Sequence, residues 1–265
     1  MKSYSDLVEQ TFDFPTEEFK VVNNKLFFND VDLSDIIEKY GTPLKLSYLP
    51  KISQNIQFAK EIFNKAIEKK KYKGDYLYCY CTKSSHFKFV LDEALKNDIH
   101  VETSSAFDIN IIQKLLKEGK LGKDTYVICN GFKRDQYKQN VAELLNSGFN
   151  NCIPILDNLN ELAYYKEHVK GKFQVGIRVA SDEEPNFSFY TSRLGIRYGD
   201  IVDYYNNEIK DSPNASLKML HFFINTGIKD TAYYWSELSR FMYKYCELKK
   251  ICPELDSVDI GGGFQ

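Results

Sequence analysis

The first nineteen residues contain no continuous apolar run, so the sequence predicts neither a secretory signal nor a membrane span there. It also lacks a surplus of either charge. Lys and Arg number 35 against 37 Asp and Glu, for a formal net charge of -2, so the basic footprint of a nucleic-acid binder is missing. The triplet Lys69-Lys70-Lys71 is read as the solvated C-terminal end of a helix, where cations are favoured. There is no disulfide framework either. Six cysteines in a chain of this length, without a secretion signal, point to reduced thiols in a cytoplasmic protein. Cys79 and Cys81 form the one close pair. A Cys-x-Cys on a strand with no second pair at suitable spacing is a poor zinc signature, so no metal is expected. Short repeats and low-complexity linkers are absent as well.

What is present is an ordinary globular composition, 43% hydrophobic and 27% charged over 265 residues, enough for one large buried core. Short apolar strands alternate with helices of 3.6-residue period. Strands are expected over 76–82, 99–103, 125–129, 152–156, 173–179, 217–224 and 257–260. Between them, Ile52, Ile56, Ala59 and Phe63 make one apolar helical stripe. Val90, Leu91, Ala94 and Leu95 make a second, after a cap expected at Ser85. Ile109, Ile112, Leu115 and Leu116 make a third, opened by Ser105 with Asp108 three residues on, as in a capping box. Val141, Leu144 and Leu145 end before Gly148, a C-terminal stop.

Such alternation predicts a parallel sheet, because parallel strands need long crossovers. About seven strand–helix units suggest an α/β fold of the (β/α)₈ barrel type that lacks its last strand; an open doubly wound sheet is the alternative. A barrel short of one strand cannot close its hydrogen-bond ladder. The chain is therefore expected to be the larger part of a barrel, incomplete at its C-terminus, over 45–265. Residues 1–44, a strand pair and a short helix before Gly41-Thr42-Pro43, are expected to belong to an accessory β-domain.

Side chains alternate along a strand. On the first barrel strand Tyr76, Tyr78, Tyr80 and Thr82 share one face, and Leu77, Cys79, Cys81 and Lys83 the other. The bulky row would pack on helices and the smaller row would fill the interior. Lys83 would then project inward at the C-terminal end, where barrels of this kind place catalytic groups. A partly desolvated lysine there could act as an amine nucleophile, although a surface lysine at a strand end fits the same pattern. Gly261, Gly262 and Gly263 after the last strand offer unhindered N–H groups for a phosphate, or a flexible turn. On the sixth strand Met219, His221 and Phe223 share a face, opposite Leu220, Phe222 and Ile224. His221 is read either as a satisfied core histidine or as a site residue. Arg178 alternates with Val175 and Ile177, so it faces the interior and demands a partner there.

Taken in order, these segments resemble the fold-type-III pyridoxal-phosphate decarboxylases, the family of ornithine, diaminopimelate and biosynthetic arginine decarboxylases. The resemblance rests on Gly41-Thr42-Pro43-Leu44, Tyr80-Cys81-Thr82-Lys83-Ser84-Ser85, Val101-Glu102-Thr103-Ser104-Ser105, Ile128-Cys129-Asn130-Gly131-Phe132-Lys133, Arg178, Ser192-Arg193-Leu194-Gly195 and Asp259-Ile260-Gly261-Gly262-Gly263-Phe264. It implies that pyridoxal 5'-phosphate is the cofactor and that Lys83 is its Schiff-base lysine. It also implies that Glu102 is the acidic neighbour of the cofactor, and that Arg178, His221, Phe223, Thr226 and Gly261 to Gly263 surround it. The 128–133 segment is nearest to the arginine decarboxylase form, which implies conversion of arginine to agmatine in polyamine biosynthesis. Diaminopimelate, ornithine and carboxynorspermidine remain as alternative substrates.

The family's His-x-His-x-Gly-Ser segment reads His221-Phe222-Phe223-Ile224-Asn225-Thr226 here. Phe223 can stack on a ring but cannot hydrogen-bond or carry charge; Thr226 can stand in for the serine. The Glu-Pro-Gly-Arg and cysteine–aspartate motifs do not occur in these 265 residues, so this chain alone is expected to bind cofactor weakly and not to turn over. The family's homodimeric site implies a homodimer for the full-length protein. A non-catalytic barrel homologue and a racemase-like barrel are the two other readings.

Overall fold

The computed structural model describes residues 18–180, 194–224 and 231–262. They fall into two compact units, divided between Tyr48 and Leu49.

In the first unit β1 (Phe19–Val22) and β2 (Lys25–Phe28) pair antiparallel, and β3 (Val31–Asp32) adds to β2. Both turns are two residues long, and Asn23, Asn24, Asn29 and Asp30 all have positive φ, from 47° to 67°. Asn and Asp tolerate that left-handed conformation, which lets the turn twist match the strands. Phe19 and Phe28 lie opposite each other with ring centroids 4.7 Å apart. Asp32 caps α1 (Leu33–Tyr40) by accepting from the Ser34 N–H at 2.8 Å, and Gly41 ends it at φ 78°. The strand pair and short helix expected from the sequence are thus present, with one added short strand.

The second unit begins with α2 (Pro50–Lys70), whose last turn carries Lys69 and Lys70 and stops at left-handed Lys71. Then come β4 (Cys79–Cys81), α3 (Lys88–Ala94), β5 (His100–Thr103), α4 (Ala106–Lys117), β6 (Val127–Cys129) and α5 (Asp135–Asn146). After these stand β7 (Cys152–Leu156), α6 (Glu161–His168), β8 (Phe173–Ala180), β9 (Ile196–Arg197), α7 (Ile201–Tyr204), β10 (Ala215–His221), α8 (Thr231–Lys249) and β11 (Ser257–Asp259). The strands pair in the order β11-β10-β8-β7-β6-β5-β4, all parallel, with β9 on β8. The sheet curls into a half-barrel, in keeping with a barrel of the (β/α)₈ type that does not close. Among the described residues β4 and β11 are its edges.

The curl gives the sheet two unlike faces. Val101, Val127, Cys129, Cys152, Leu156, Val175, Ile177, Val179, Leu217 and Leu220 pack outward with the helices. Ile128, Ile153 and Ile155 pack inward with Cys79, Tyr126 and Met219. Tyr80 joins Ile56, Val90, Leu91 and Ala94 on the helix side, so the division of the first strand into a bulky and a small row holds. A register shift between Leu217 and Met219 rephases β10, placing Leu217 outward yet Met219 and His221 inward.

Sequence reasoning overran the strand at 76–82. Ladder pairing spans Cys79 to Cys81 only, because β4 is an edge with one neighbour. The cap expected at Ser85 is also corrected. The helix starts after Phe87, which makes no side-chain cap, and the Ser85 carbonyl instead accepts from the Tyr80 hydroxyl at 2.9 Å. By contrast Ser105 does cap α4. Its hydroxyl accepts from the Asp108 N–H, while the Asp108 carboxylate reaches back to the Ser104 N–H at 2.9 Å. Ser105→Ala should cost about 1 kcal/mol of stability, read as a lower midpoint in urea; an unchanged midpoint would show that the Asp108 contact alone suffices. Gly148 has φ 86° just beyond α5, as its stop requires.

Candidate functional site

Parallel strands bring all their C-terminal ends to one side, and the inward polar side chains of this half-barrel gather there. Ladder register sets the row. His221 on β10 pairs with Arg178 on β8 and with Asp259 on β11, while Glu102 on β5 pairs with Cys81 on β4. Asp157 lies one step past the registered pair Leu156 and Ile177, beside Arg178.

Asn130, just after β6, ties this row together. Its side-chain oxygen accepts the Gly131 N–H at 2.8 Å, which fixes the amide orientation. The amide nitrogen is then free to donate to Glu102 Oε1 and to His221 Nε2, both at 2.9 Å. This pattern assigns His221 the tautomer with its proton on Nδ1. That Nδ1–H is buried and finds no acceptor among the described residues. Burial lowers the His221 pKa to about 4, against the smaller pull of Glu102, so the ring is neutral at physiological pH.

Asp259 stands 3.9 Å from His221 Nε2 and accepts from the Gly261 N–H at 2.8 Å. Burial raises its carboxyl to about 6, and burial together with the Asp259 charge raises Glu102. Across the lumen, burial followed by the charges of Asp259 and Glu102 holds the Cys79 thiol well above its ordinary range. Ligating atoms of Glu102, His221 and Asp259 all lie within 4.8 Å of one another, a spacing that a metal ion can bridge. The Nε2 lone pair, however, is already committed to Asn130. The trio therefore reads as an acid–imidazole cluster in which Asn130 bridges Glu102 and His221 and Asp259 stands alongside.

Arg178 is 7% exposed, and its guanidinium lies 5.5 Å from the centre of the half-buried Phe223 ring. Burial lowers its pKa, while Asp157 and Glu102 work against that shift. The partners required for Arg178 thus include an aromatic face and the through-space charges of two carboxylates. Gly261 has φ 68°, and a Cβ there would sit 2.7 Å from the Phe222 carbonyl oxygen and 3.1 Å from the Phe223 ring. A glycine is needed to bring the last loop this close to Phe223. A Cβ at Gly262 would meet nothing within 4 Å, leaving its backbone approachable.

Lys83 departs from expectation. It lies in the turn after β4 and is exposed, not partly desolvated, because the edge strand ends at Cys81 with no neighbour to enclose the turn beyond it. Thr226 and Gly263 lie outside the described residues, as do Ser192 and Arg193.

Several site residues were not singled out from sequence. Lys133 is the clearest, with a wholly buried side chain. Its ammonium donates to the carbonyls of Gly131 and Ile155 and bonds Glu161 at 3.0 Å, with Asp157 at 3.7 Å. Burial raises Glu161, partly offset by Lys133. Asn130 and Asp259 were quoted only as parts of motifs. The signal for them was their place in the first residues after a strand, where polar groups face a barrel mouth. A groove of about 180 Å³ lined by Lys172, Lys210, Asn214, Ser216 and Glu254 opens beside the N-terminal starts of β8 and β10, at the opposite end of the strands.

The chain is similar to known proteins in both sequence and fold. The model of the pyridoxal-binding domain of pyridoxal-dependent decarboxylases matches residues 59–265. Biosynthetic arginine decarboxylase of Vibrio vulnificus is 22% identical over 255 residues, covering 89% of this chain and 39% of that relative. The crystal structure of diaminopimelate decarboxylase from M. jannaschii, in co-complex with L-lysine, superposes with a TM-score of 0.78 at 18% identity. It covers 94% of this chain and 57% of that one. The arginine decarboxylase of Paramecium bursaria Chlorella virus gives 0.62 at 14% identity, over 88% of this chain and 58% of that one. The chain thus spans less than two thirds of the length of these relatives.

Proposed function

This chain belongs to the pyridoxal-dependent decarboxylases, and from that premise we propose that it forms the cofactor-binding barrel of an enzyme that decarboxylates a basic amino acid. Arginine, converted to agmatine for polyamine synthesis, is the substrate we favour. The support is the arginine decarboxylase form of Ile128 to Lys133 and the curated relatives of that name. The observation that carries the reading is the row of Arg178, His221 and Asp259, joined through Asn130 to Glu102, at the C-terminal ends of strands in a domain of this family.

The site suits pyridoxal phosphate on its own chemistry. His221 holds a buried N–H without an acceptor, Gly262 leaves an approachable backbone, and Phe223 offers a ring for stacking. Lys83 would hold the cofactor covalently, with Glu102, Arg178, His221, Phe223, Thr226 and Gly261 to Gly263 around it. Once bound, the cofactor supplies an electron sink for the pair left behind when the α-carboxylate departs as carbon dioxide. The chain's residues do the rest. Phe223, unlike an imidazole, neither donates nor takes a proton, so proton handling falls to Lys83 and to the Glu102–Asp259 carboxyls. The Asn130 amide orients His221, which burial keeps neutral.

Among the described residues no helix is long and apolar enough to cross a bilayer, and the six cysteines are all free. We place the full-length protein in the cytoplasm, as a homodimer that binds the cofactor and an amino-acid substrate.

The test is a cofactor titration of the full-length protein with and without Lys83→Ala, followed by carbon dioxide release from arginine, ornithine and diaminopimelate. We expect an absorbance band of lysine-bound cofactor that Lys83→Ala removes, and release from arginine at least about 10³-fold faster than in the variant. A band without release from any of the three would favour a non-catalytic homologue, to which Phe223 already points. No lysine-dependent band would overturn the assignment of Lys83.

A further inference from the structure

Asp157 is buried in an unusual way. Its side chain is 1% exposed, yet neither carboxylate oxygen accepts a hydrogen bond. Its neighbour Lys133, 3.7 Å away, already directs its three hydrogens at Gly131, Ile155 and Glu161. The backbone of Asp157 is pinned on both sides, its N–H to Glu161 Oε2 at 3.1 Å and its carbonyl to the Gly195 N–H at 2.7 Å. Gly195 lies so close to the end of β8 that a Cβ would sit 2.8 Å from the Ala180 nitrogen and 3.0 Å from the Arg178 carbonyl oxygen.

A buried carboxylate without donors persists only where opposite charge surrounds it. Two cations flank this one. Lys133 stands on one side, and on the other Arg178 occupies the adjacent strand, one step past the last registered pair. Arg178 in turn rests on the Phe223 ring. Asp157 makes no side-chain hydrogen bond to the Glu102–Asn130–His221 network, and its charge acts through space, on the Arg178 guanidinium and on the His221 ring.

We infer that Asp157 is a positioning residue of the cofactor site, holding the Arg178 guanidinium on the face of Phe223 and so setting the aromatic wall against which the cofactor ring would stack. This rests on the pyridoxal-phosphate reading of the barrel mouth. A fixed negative charge, not a hydrogen bond, does the holding. The isosteric Asp157→Asn therefore removes the effect while filling the same space.

The experiment is a double-mutant cycle of Asp157→Asn and Arg178→Gln in the full-length protein. It is read by cofactor Kd from absorbance and, separately, by the thermal midpoint of the cofactor-free protein. We expect Asp157→Asn to weaken cofactor binding about tenfold, and the double variant to bind no more weakly than Arg178→Gln alone. Full additivity, or an unchanged Kd in Asp157→Asn, overturns the inference. If the wild-type protein binds no cofactor, the functional reading fails instead, and the cycle in thermal midpoint still decides whether the two residues are coupled. Should Asp157→Asn not fold, the same cycle is run with Asp157→Ser, and the same two outcomes decide.

Discussion

Lys133→Met should lower the unfolding free energy by about 3–5 kcal/mol, the range for removing one partner from a buried charge pair. The side chain is wholly enclosed and bridges the ends of β6 and β7 through two carbonyls and two carboxylates. Methionine fills much the same volume, so the loss is electrostatic rather than a cavity effect. What remains is Glu161 buried without its cation, beside an Asp157 left with Arg178 alone. The double variant Lys133→Met/Glu161→Gln should recover part of the loss, since it removes the orphaned charge. Urea unfolding of both variants measures this. A single variant within about 1 kcal/mol of wild type would mean that water or a rearranged Arg178 takes over from the ammonium.

Asp259→Asn should be stabilising at pH 8 and close to neutral at pH 4. Burial raises the Asp259 carboxyl from 3.8 to about 6, so the folded state favours the protonated form. Its contribution is fully present below about pH 4 and is lost as pH rises through about 6. A shift of that size corresponds to about 3 kcal/mol at most. Asparagine escapes that cost while keeping an oxygen for the Gly261 N–H. His221 acts in the opposite sense. Its pKa is lowered from 6.5 to about 4, so its contribution is present above pH 6.5 and falls away as pH drops through 4. Wild type is therefore pressed from both sides, whereas Asp259→Asn should keep only the acid limb. Denaturation at pH 4.5 and pH 8 reads the difference, and an equal effect at both would show that Asp259 stays ionised throughout.

These two predictions draw on residues that were barely legible beforehand. Lys133 looked like the tail of a motif, and nothing local in the sequence separates it from the chain's many solvated lysines. Its burial comes from β7, whose Ile155 carbonyl and nearby Glu161 close over it, and that proximity exists only once β6 and β7 pair. Lys83 failed in the other direction. Alternation put it on the inner row, but how far a residue past an edge strand is enclosed depends on neighbours that alternation does not describe.

By itself the sequence determined the parallel half-barrel and the inward row, because both arise from local chemistry. Apolar periodicities of 2 and 3.6 set strand and helix, Ser105 and Gly148 punctuated them, and strand parity put Arg178, His221 and Phe223 on the lumen side. It also pointed to the family that residues 59–265 match. Tertiary structure alone decided which groups meet. The β10 bulge kept His221 in phase, the Asn130 amide chose its tautomer, and the stacked ends of β7, β8 and β11 drew the carboxylates of Asp157 and Asp259 to either side of Arg178 and His221. Charges perturb one another through space, so their protonation is set by cross-strand distance and burial, which no window of neighbouring residues contains.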